Sequence, residues 1–471
     1  MKVVFIYPYH DFLRTEGIFM RFTRYRQPLD LAYCAAMLEK ERGFEVGIID
    51  ANILKMHNAE VVEELKKNPP GIIFITTEIM DSWQCPFPTY EETADLSKRI
   101  RGSGIGAKIG IMGPHGSTRP VEILERTGAD FIVMGEPELT VADLCKKIRS
   151  GKNISDVPGT AIRHGKKVKV NAQRPFIRDL DGMPLPAYDL LPMEKYYHNI
   201  LNRGNFSIVI TSRGCPFRCT FCLKAMWGSL YRKRSVENVM KELRLLHDEF
   251  GVGSVYFQDL EFLIDKKRVI EICRRMVKER MDFLWGCTAR VDSVDLEMLK
   301  AMKNAGCKFI LFGVESIDPA VIRNIRKCTT PEQVKAAVEM CREAGIDASL
   351  NTMIGLPGQD RESYLRGIRE MLTWKPHRIT TGMTIAFPGT EMHEQAKKQG
   401  LVGKGNDRWE SCLEFSGTVG NDFDRKELRE TFRRTRSMLA RDMVLKEYGR
   451  AFFLRPGFYR FVLKVMSKKL D

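Results

Sequence analysis

Short runs of wholly apolar positions alternate, from the first residues onward, with longer stretches in which apolar positions recur every three or four residues. KVVFIYP (2–8), FEVGIID (44–50), GIIFITT (71–77), AKIGIMG (107–113) and ADFIVMG (129–135) are runs of the first kind. Leu29 to Arg42, Val121 to Arg126 and Val141 to Ile148 carry helical spacing, and Gly43 is placed to cap the first of these. Continuous apolar strands alternating with amphipathic helices predict a parallel sheet covered on both faces. Five such strands predict a doubly wound, Rossmann-like domain over 1–150, with ligands at the carboxyl ends of the strands.

The pattern breaks over 151–204. GTAIRHGKKVKVNAQ reads as a hairpin turning at His164 and Gly165, and PLPAYDLLP as an irregular linker. Alternation resumes over 205–395 with IVIT, SVYFQD, FLWGCTA, FILFGVE, ASLNTMIG and ITTGMTIA as strands. In the first helix between them, Ser235 is the N-cap, and Val236, Val239, Leu243, Leu246 and Phe250 fall on one face before Gly251. Six such units predict a partial (β/α)6 TIM barrel, open where two units are missing. The remainder, 396–471, reads as helical and basic. The fold class is therefore α/β: a Rossmann-like domain, a partial barrel and a helical carboxy-terminal region.

Composition narrows the picture. The 471 residues are 44% hydrophobic and 29% charged, which suits folded domains rather than a disordered chain. The opening apolar run is too short for a secretory signal, and no stretch approaches the roughly 18 apolar residues of a membrane span. A cytoplasmic location is the expectation. Twelve cysteines without a signal argue against a disulfide framework. Charge is uneven: Arg425 to Asp471 holds 14 Lys and Arg against 5 Asp and Glu, nine of the fifteen net positive charges.

Three cysteines crowd into TSRGCPFRCTFC, directly after the first barrel strand. Cys215, Cys219 and Cys222 form a CxxxCxxC pattern on a loop where barrels place their chemistry. Thiolates suit iron–sulfur clusters, and three of them leave one iron of a cube without a protein ligand. Zinc is the alternative, but it favours four ligands at two-plus-two spacing, and no fourth Cys or His lies nearby in sequence. Coincidence is the blander reading still.

At this loop the sequence resembles the radical S-adenosylmethionine (SAM) superfamily, whose aromatic residue before the last cysteine is matched by Phe221. The resemblance implies a [4Fe–4S] cluster on Cys215, Cys219 and Cys222. Its open iron would chelate SAM, and an electron from it would cleave SAM to a 5′-deoxyadenosyl radical. YFQDLEF (256–262) resembles the second-strand segment that faces the methionine end of SAM. FGVES (312–316) resembles a segment lining the SAM site, and MIGLPGQ (353–359) and FPGTEM (387–392) resemble the later strand ends near the adenine. SAM-binding roles are thereby implied for Phe221, Asp259, Arg290, Glu315, Ser316 and Gly355. The family commonly has two adjacent acids at the second strand. Here Leu260 follows Asp259, and Glu261 lies one place on. Strand alternation keeps Glu261 from replacing the missing acid, so Asp259 is the expected ligand. No residue is singled out for catalytic hydrogen transfer.

A Rossmann-like domain ahead of such a barrel resembles the cobalamin-binding subfamily of radical SAM enzymes. YRQPLDLAYCAAMLEKERGFEVGIIDAN resembles its opening and GPHGSTRPVEILERTGADFIVMGEPELT its closing half. Cobalamin is the implied third cofactor, with Gly113 and Pro114 at its site. Met112 stands where the family usually has a second glycine, and the Asp-x-His-x-x-Gly cobalt-ligand sequence is absent: His10 begins HDFLRTEG without that spacing. His115 reads as structural rather than as a cobalt ligand.

The resemblance implies methyltransferase chemistry, foremost C-methylation of an unactivated carbon. The alternatives are a radical cyclase or rearrangement enzyme acting on a tetrapyrrole or lipid, a tRNA methylthiotransferase, and a redox-sensing Fe–S protein. Cys34 and Cys145 fall in helical patterns and Cys85 in a loop, which does not suit the second cluster of a methylthiotransferase. The expected partners are a small-molecule, conceivably lipid-like substrate and an electron donor such as ferredoxin or flavodoxin, with nucleic acid disfavoured. In EYGRAFFLRPGFYRFVLKVMSKK, aromatic and basic residues interleave. That pattern suits either peripheral contact with an anionic membrane or a terminal helix packed on the barrel with a solvated basic edge.

Overall fold

The computed structural model describes residues 1–10, 26–80, 83–165, 167–402, 409 and 425–448. Its amino-terminal sheet contains β1 (Lys2–Tyr7), β2 (Glu45–Asp50), β3 (Ile72–Thr76), β4 (Lys108–Met112), β5 (Phe131–Val133), β6 (Thr160–His164) and β7 (Lys167–Val170), in the order β2-β1-β3-β4-β5-β6-β7. The five expected strands are parallel, and each is made of β-branched and aromatic residues; β3 is buried at every position. The predicted hairpin extends the sheet, with β6 antiparallel to both β5 and β7. The order reverses between β1 and β3, which opens the crevice where doubly wound folds bind ligands. The first helix runs over Leu29–Glu39 and stops short of the predicted Gly43 cap.

The second sheet is wholly parallel. It consists of β8 (Asn205–Val209), β11 (Val252–Phe257), β12 (Leu284–Ala289), β13 (Cys307–Glu315), β14 (Asp347–Ile354) and β15 (Arg378–Met383), in the order β15-β14-β13-β12-β11-β8. The short strands β9 (Ser212–Arg213) and β10 (Arg232–Lys233) form a separate antiparallel pair. Helix Val236–Asp248 is capped as predicted, with the Ser235 side chain accepting from Asn238 N.

An open barrel has two strand edges to satisfy. At one edge, the Gln27 side-chain amide donates to Phe206 O at 2.6 Å and accepts from Ile208 N at 3.1 Å, taking the place of a neighbouring strand along β8. At the other, helix Arg425–Tyr448 packs on β15 and buries Leu428, Thr431, Thr435, Leu439 and Met443, a spacing of one helical face. Leu29, Tyr33, Met80 and Trp83 of the amino-terminal domain share one core with the barrel, so the two domains pack through apolar surface. That interface lies at the strand ends of both sheets.

Candidate functional site

β8 leads into the cysteine loop through a tightly held neck. Asp259, fully buried, accepts from Thr211 N and Thr211 Oγ1 at 3.0 Å each and from Ser212 Oγ. Arg268 flanks this carboxylate and donates to Thr211 O at 3.0 Å. Gly214 follows at φ +80, with Leu230 O only 2.0 Å from where a Cβ would stand, so no other residue fits that turn. Further along, Thr220 N donates to Ile325 O at 3.1 Å and Met392 N to Thr220 O at 3.0 Å, which ties the loop to the later strand ends. Phe221 packs among Ile325, Leu356 and Met392.

All three cysteines of the loop are half-buried residues. Burial, and then the charges of Cys215 and Cys219, push the Cys222 thiol up to about 12; burial also raises Cys215, which senses Cys219. Each thiol is thus within electrostatic reach of the other two. Among the described residues no three Cys, His, Asp or Glu side chains converge on a single ion. A cube asks for something different, because each thiolate binds its own iron. Raised thiol pKa values mean that metal capture must displace protons, and nearby cations favour that exchange. Lys224 Nζ donates to Phe217 O and lies 3.4 Å from Cys215 O, and both Lys224 and Lys327 favour the thiolate of Cys222.

Around the loop stand charged groups with open valences. Arg290 is held by both oxygens of Asp292, at 2.9 and 2.8 Å, and by Lys327 O at 2.8 Å; its guanidinium lies 3.8 Å over the Phe217 ring, and Nη1 has no hydrogen-bond partner among the described residues. Lys327 is fully buried, which alone would lower its pKa. Glu315 at 3.3 Å, together with the negative charge of Cys219, more than offsets this and keeps the ammonium charged. Glu315 itself sits at φ +64, in a register shift of β13, a backbone state that costs energy in a non-glycine residue. A Cβ on Gly313 would lie 2.8 Å from Glu315 Oε1, so the glycine makes room for this pair.

Glu261 shows where the strand-based expectation and the structure part. β11 ends at Phe257, so residues 258–261 no longer alternate between faces. Asp259, the expected ligand, has its oxygens engaged by the loop neck. Glu261 is buried; Oε1 accepts from Leu263 N at 3.3 Å, and Oε2 has no hydrogen-bond partner among the described residues. Burial pushes the carboxyl up to about 7, although the backbone N–H groups of Arg290 and Leu263 and the charges of Lys327 and Arg290 favour its ionised form. An orphaned acceptor on Glu261 and an orphaned donor on Arg290 match the ammonium and carboxylate of an amino acid, so the pair fits the methionine end of SAM. Ser316 Oγ accepts from Asp318 N at 3.1 Å. Gly355, at φ +90, donates its N–H to Gln359 Oε1 at 2.8 Å.

Across the interface, the end of β4 meets the end of β3. Gly113 has φ +108, and a Cβ there would lie 2.6 Å from Thr77 Oγ1, a buried hydroxyl with no hydrogen-bond partner among the described residues. Pro114 and His115 begin the short helix Pro114–Thr118. The His115 ring is buried, with Nε2 2.9 Å from Phe87 O and the Trp409 ring tilted against it at 4.3 Å between centroids. Burial pushes His10 down to about 4 and His115 down to about 3, so both imidazoles are neutral. A cradle opened by Gly113, with the Thr77 hydroxyl available and neutral imidazoles beside it, fits a bulky, amide-bearing macrocycle.

The two strand-end surfaces touch. Leu223 N donates to Gln84 O at 3.3 Å, Trp83 and Trp227 meet edge-on at 5.5 Å, and Ser117 Oγ contacts Met226 Sδ at 3.1 Å. Cys85, on the loop after β3, keeps accessible surface although atoms of both domains enclose it. Burial, then Glu315 and Glu78, push its thiol up to about 11.

Residues 209–370 match the radical SAM superfamily, and residues 21–145 match the B12 binding domain. An uncharacterized methyltransferase of Pyrococcus horikoshii is 33% identical over 377 residues, 80% of this chain and 79% of that protein. This chain is a cobalamin-dependent radical SAM enzyme. Its cofactors are a [4Fe–4S] cluster, SAM and cobalamin. The anaerobic magnesium-protoporphyrin IX monomethyl ester cyclase of Cereibacter sphaeroides is 27% identical, over 85% of this chain and 64% of that enzyme. The solved structure of the radical SAM methyltransferase TsrM from Kitasatospora setae, with cobalamin and a [4Fe–4S] cluster bound, superposes with a TM-score of 0.69 at 19% identity, covering 87% and 84% of the two chains, and shares the fold.

Some residues of this radical SAM enzyme left no mark in the sequence pattern. Lys327 follows a helix end and is a commonplace charge until the fold buries it against Glu315. Lys224 is equally plain in sequence.

Proposed function

We propose that this enzyme methylates an unactivated carbon of a small molecule, using one SAM as radical source and a second as methyl donor. The observation that supports it is the contact between the cysteine loop and the strand-end loops of the B12 domain, which gives the two cofactor sites a common space. The residues Cys215, Cys219 and Cys222 would hold the cluster, Glu261 and Arg290 the amino-acid end of SAM, and Gly113 would give cobalamin its approach. Bound cobalamin supplies a methyl carrier. What the protein does is orient: apolar packing of the two domains excludes water from a space in which a carbon radical must survive.

Anaerobic reconstitution with cluster and cobalamin, followed by incubation with SAM and reductant, tests this reading. Methylation releases S-adenosylhomocysteine and 5′-deoxyadenosine in comparable amounts. Cyclisation, favoured by the likeness to the Cereibacter sphaeroides enzyme, releases 5′-deoxyadenosine without S-adenosylhomocysteine and would overturn it. A Cys219→Ala enzyme should form neither product. An acidic ferredoxin or flavodoxin would supply the electron, attracted by the chain's net charge of +15. The exposed Lys426, Arg429, Arg433, Arg434 and Arg441 of helix Arg425–Tyr448 support contact with anionic lipid. The aromatic and basic stretch after Tyr448 lies outside the described residues.

A further inference from the structure

The cysteine loop starts and ends on one ladder step: Arg213 in β9 pairs directly with Arg232 in β10. Like charges opposite one another in an antiparallel pair repel, and both side chains are only 3% exposed, so water screens them little. The counter-charges come from the other domain. Glu136 and Glu138 follow β5, and both are as deeply buried. Glu136 Oε1 lies 2.8 Å from Arg232 Nη1 and 3.3 Å from Arg213 Nη1, while Arg213 Nη2 reaches Glu138 Oε1 at 2.6 Å. The second oxygen of Glu136 accepts from Ile177 N at 2.7 Å and from Arg232 at 2.9 Å. Two cations and two anions balance, and among the described residues Glu136 is the carboxylate that bonds both arginines.

We propose that Glu136 is a positioning residue that clamps the neck of the cysteine loop to the end of β5, setting the place of the cluster relative to the cobalamin domain. A single carboxylate bridging both ends of the loop constrains its entry and its exit together. Its effect on turnover rests on the methyl-transfer reading above, in which both cofactor sites serve one reaction.

The test uses reconstituted holoenzyme carrying Glu136→Gln. A second variant, Arg232→Lys, keeps the charge but loses the guanidinium fork. Asp130→Asn is the control, because it breaks ion pairs with Arg101 and Lys108 in the same domain far from the neck. Amide hydrogen exchange over residues 214–231 should quicken by roughly tenfold in both clamp variants and stay unchanged in the control. S-adenosylhomocysteine formation should fall by about 100-fold, the size expected when reacting groups move by about an ångström. The paramagnetic response of the reduced cluster to SAM, and 5′-deoxyadenosine formation, should persist. Unchanged exchange in both clamp variants overturns the proposal, as does an equal loss of both products, which would mean that the cluster itself had failed. If the parent enzyme forms no S-adenosylhomocysteine, the methyl-transfer reading fails, and exchange over 214–231 alone decides the clamp.

Discussion

The carboxyl ends of the two sheets face each other but are built on different principles. The barrel end is charged and unsatisfied: three thiols, a buried Lys327, and open valences on Glu261 and Arg290 crowd around one loop. Around β3 and β4 the amino-terminal end is shaped rather than charged, while its Glu136 and Glu138, after β5, are paired with the arginines of the loop neck. Gly113 lies against Thr77, and His10 and His115 are both held uncharged by burial. A zwitterionic cofactor that must be polarised asks for the first kind of surface. A large macrocycle held by contact area and neutral hydrogen bonds asks for the second. One end recognises by charge and the other by room.

The sharpest way to break that contrast is at Glu261. If its free oxygen receives the SAM ammonium, Glu261→Gln weakens SAM binding by ~10- to 100-fold, the loss of one charge-assisted hydrogen bond, and leaves the melting temperature close to the parent's. Asp259→Asn should do the reverse. It replaces the carboxylate shared by Thr211 and Ser212 with a neutral amide that has one acceptor oxygen and a misplaced donor, so stability falls by about 1–3 kcal/mol while SAM affinity changes less. Titration of the cluster's paramagnetic signal with SAM, alongside melting curves, compares the two. An Asp259 variant that loses SAM affinity while keeping its stability would return the ligand role to that residue.

The neutral end breaks by filling. Gly113→Ala must place a methyl group 2.6 Å from Thr77 Oγ1 at a φ that alanine rarely adopts, at a cost of about 2 kcal/mol. The expected result is an enzyme with its full iron content and a reduced ratio of bound cobalamin to protein, read from absorbance after gel filtration. Equal losses of iron and cobalamin would mean that the two surfaces are one cooperative unit rather than two.

The contrast also explains what the sequence could disclose. Cys215, Cys219 and Cys222 are chemically rare and adjacent in sequence, so their pattern carries the cluster without any fold. Both parallel sheets follow from apolar runs of strand length, and the Ser235 cap from a local rule. The expectation for Glu261 rested on strand alternation, which holds only inside a strand, and β11 has ended four residues earlier. Lys327, Glu136 and Arg213 are ordinary charges whose importance comes from burial against residues 12 to 96 positions away, which no local pattern records. Gln27 is similar: a polar residue near a helix start that turns out to close an edge strand 179 and 181 residues away.

The smallest effect probes the neutrality of the amino-terminal domain. Asp30 is fully buried on helix Leu29–Glu39, where burial pushes its carboxyl up to about 7, although Thr76 donates to it at 2.9 Å. In the unfolded chain it titrates near its ordinary value of 3.8. Between these limits the folded protein holds a proton that the unfolded chain releases. Raising the pH through this window therefore costs stability, by at most about 1.4 kcal/mol per pH unit. His10 and His115 act in the opposite sense, since their lowered pKa values make folding more favourable as the pH rises toward 6.5. The parent's own pH profile mixes these opposing slopes, and only a difference isolates Asp30. Asp30→Asn has no proton to lose, so its stability relative to the parent should climb by about 1–2 kcal/mol between roughly pH 5 and pH 7. Denaturant midpoints at the two pH values measure it. A flat difference would mean that Asp30 is ionised in the fold, and that the amino-terminal end stores charge much as the barrel end does.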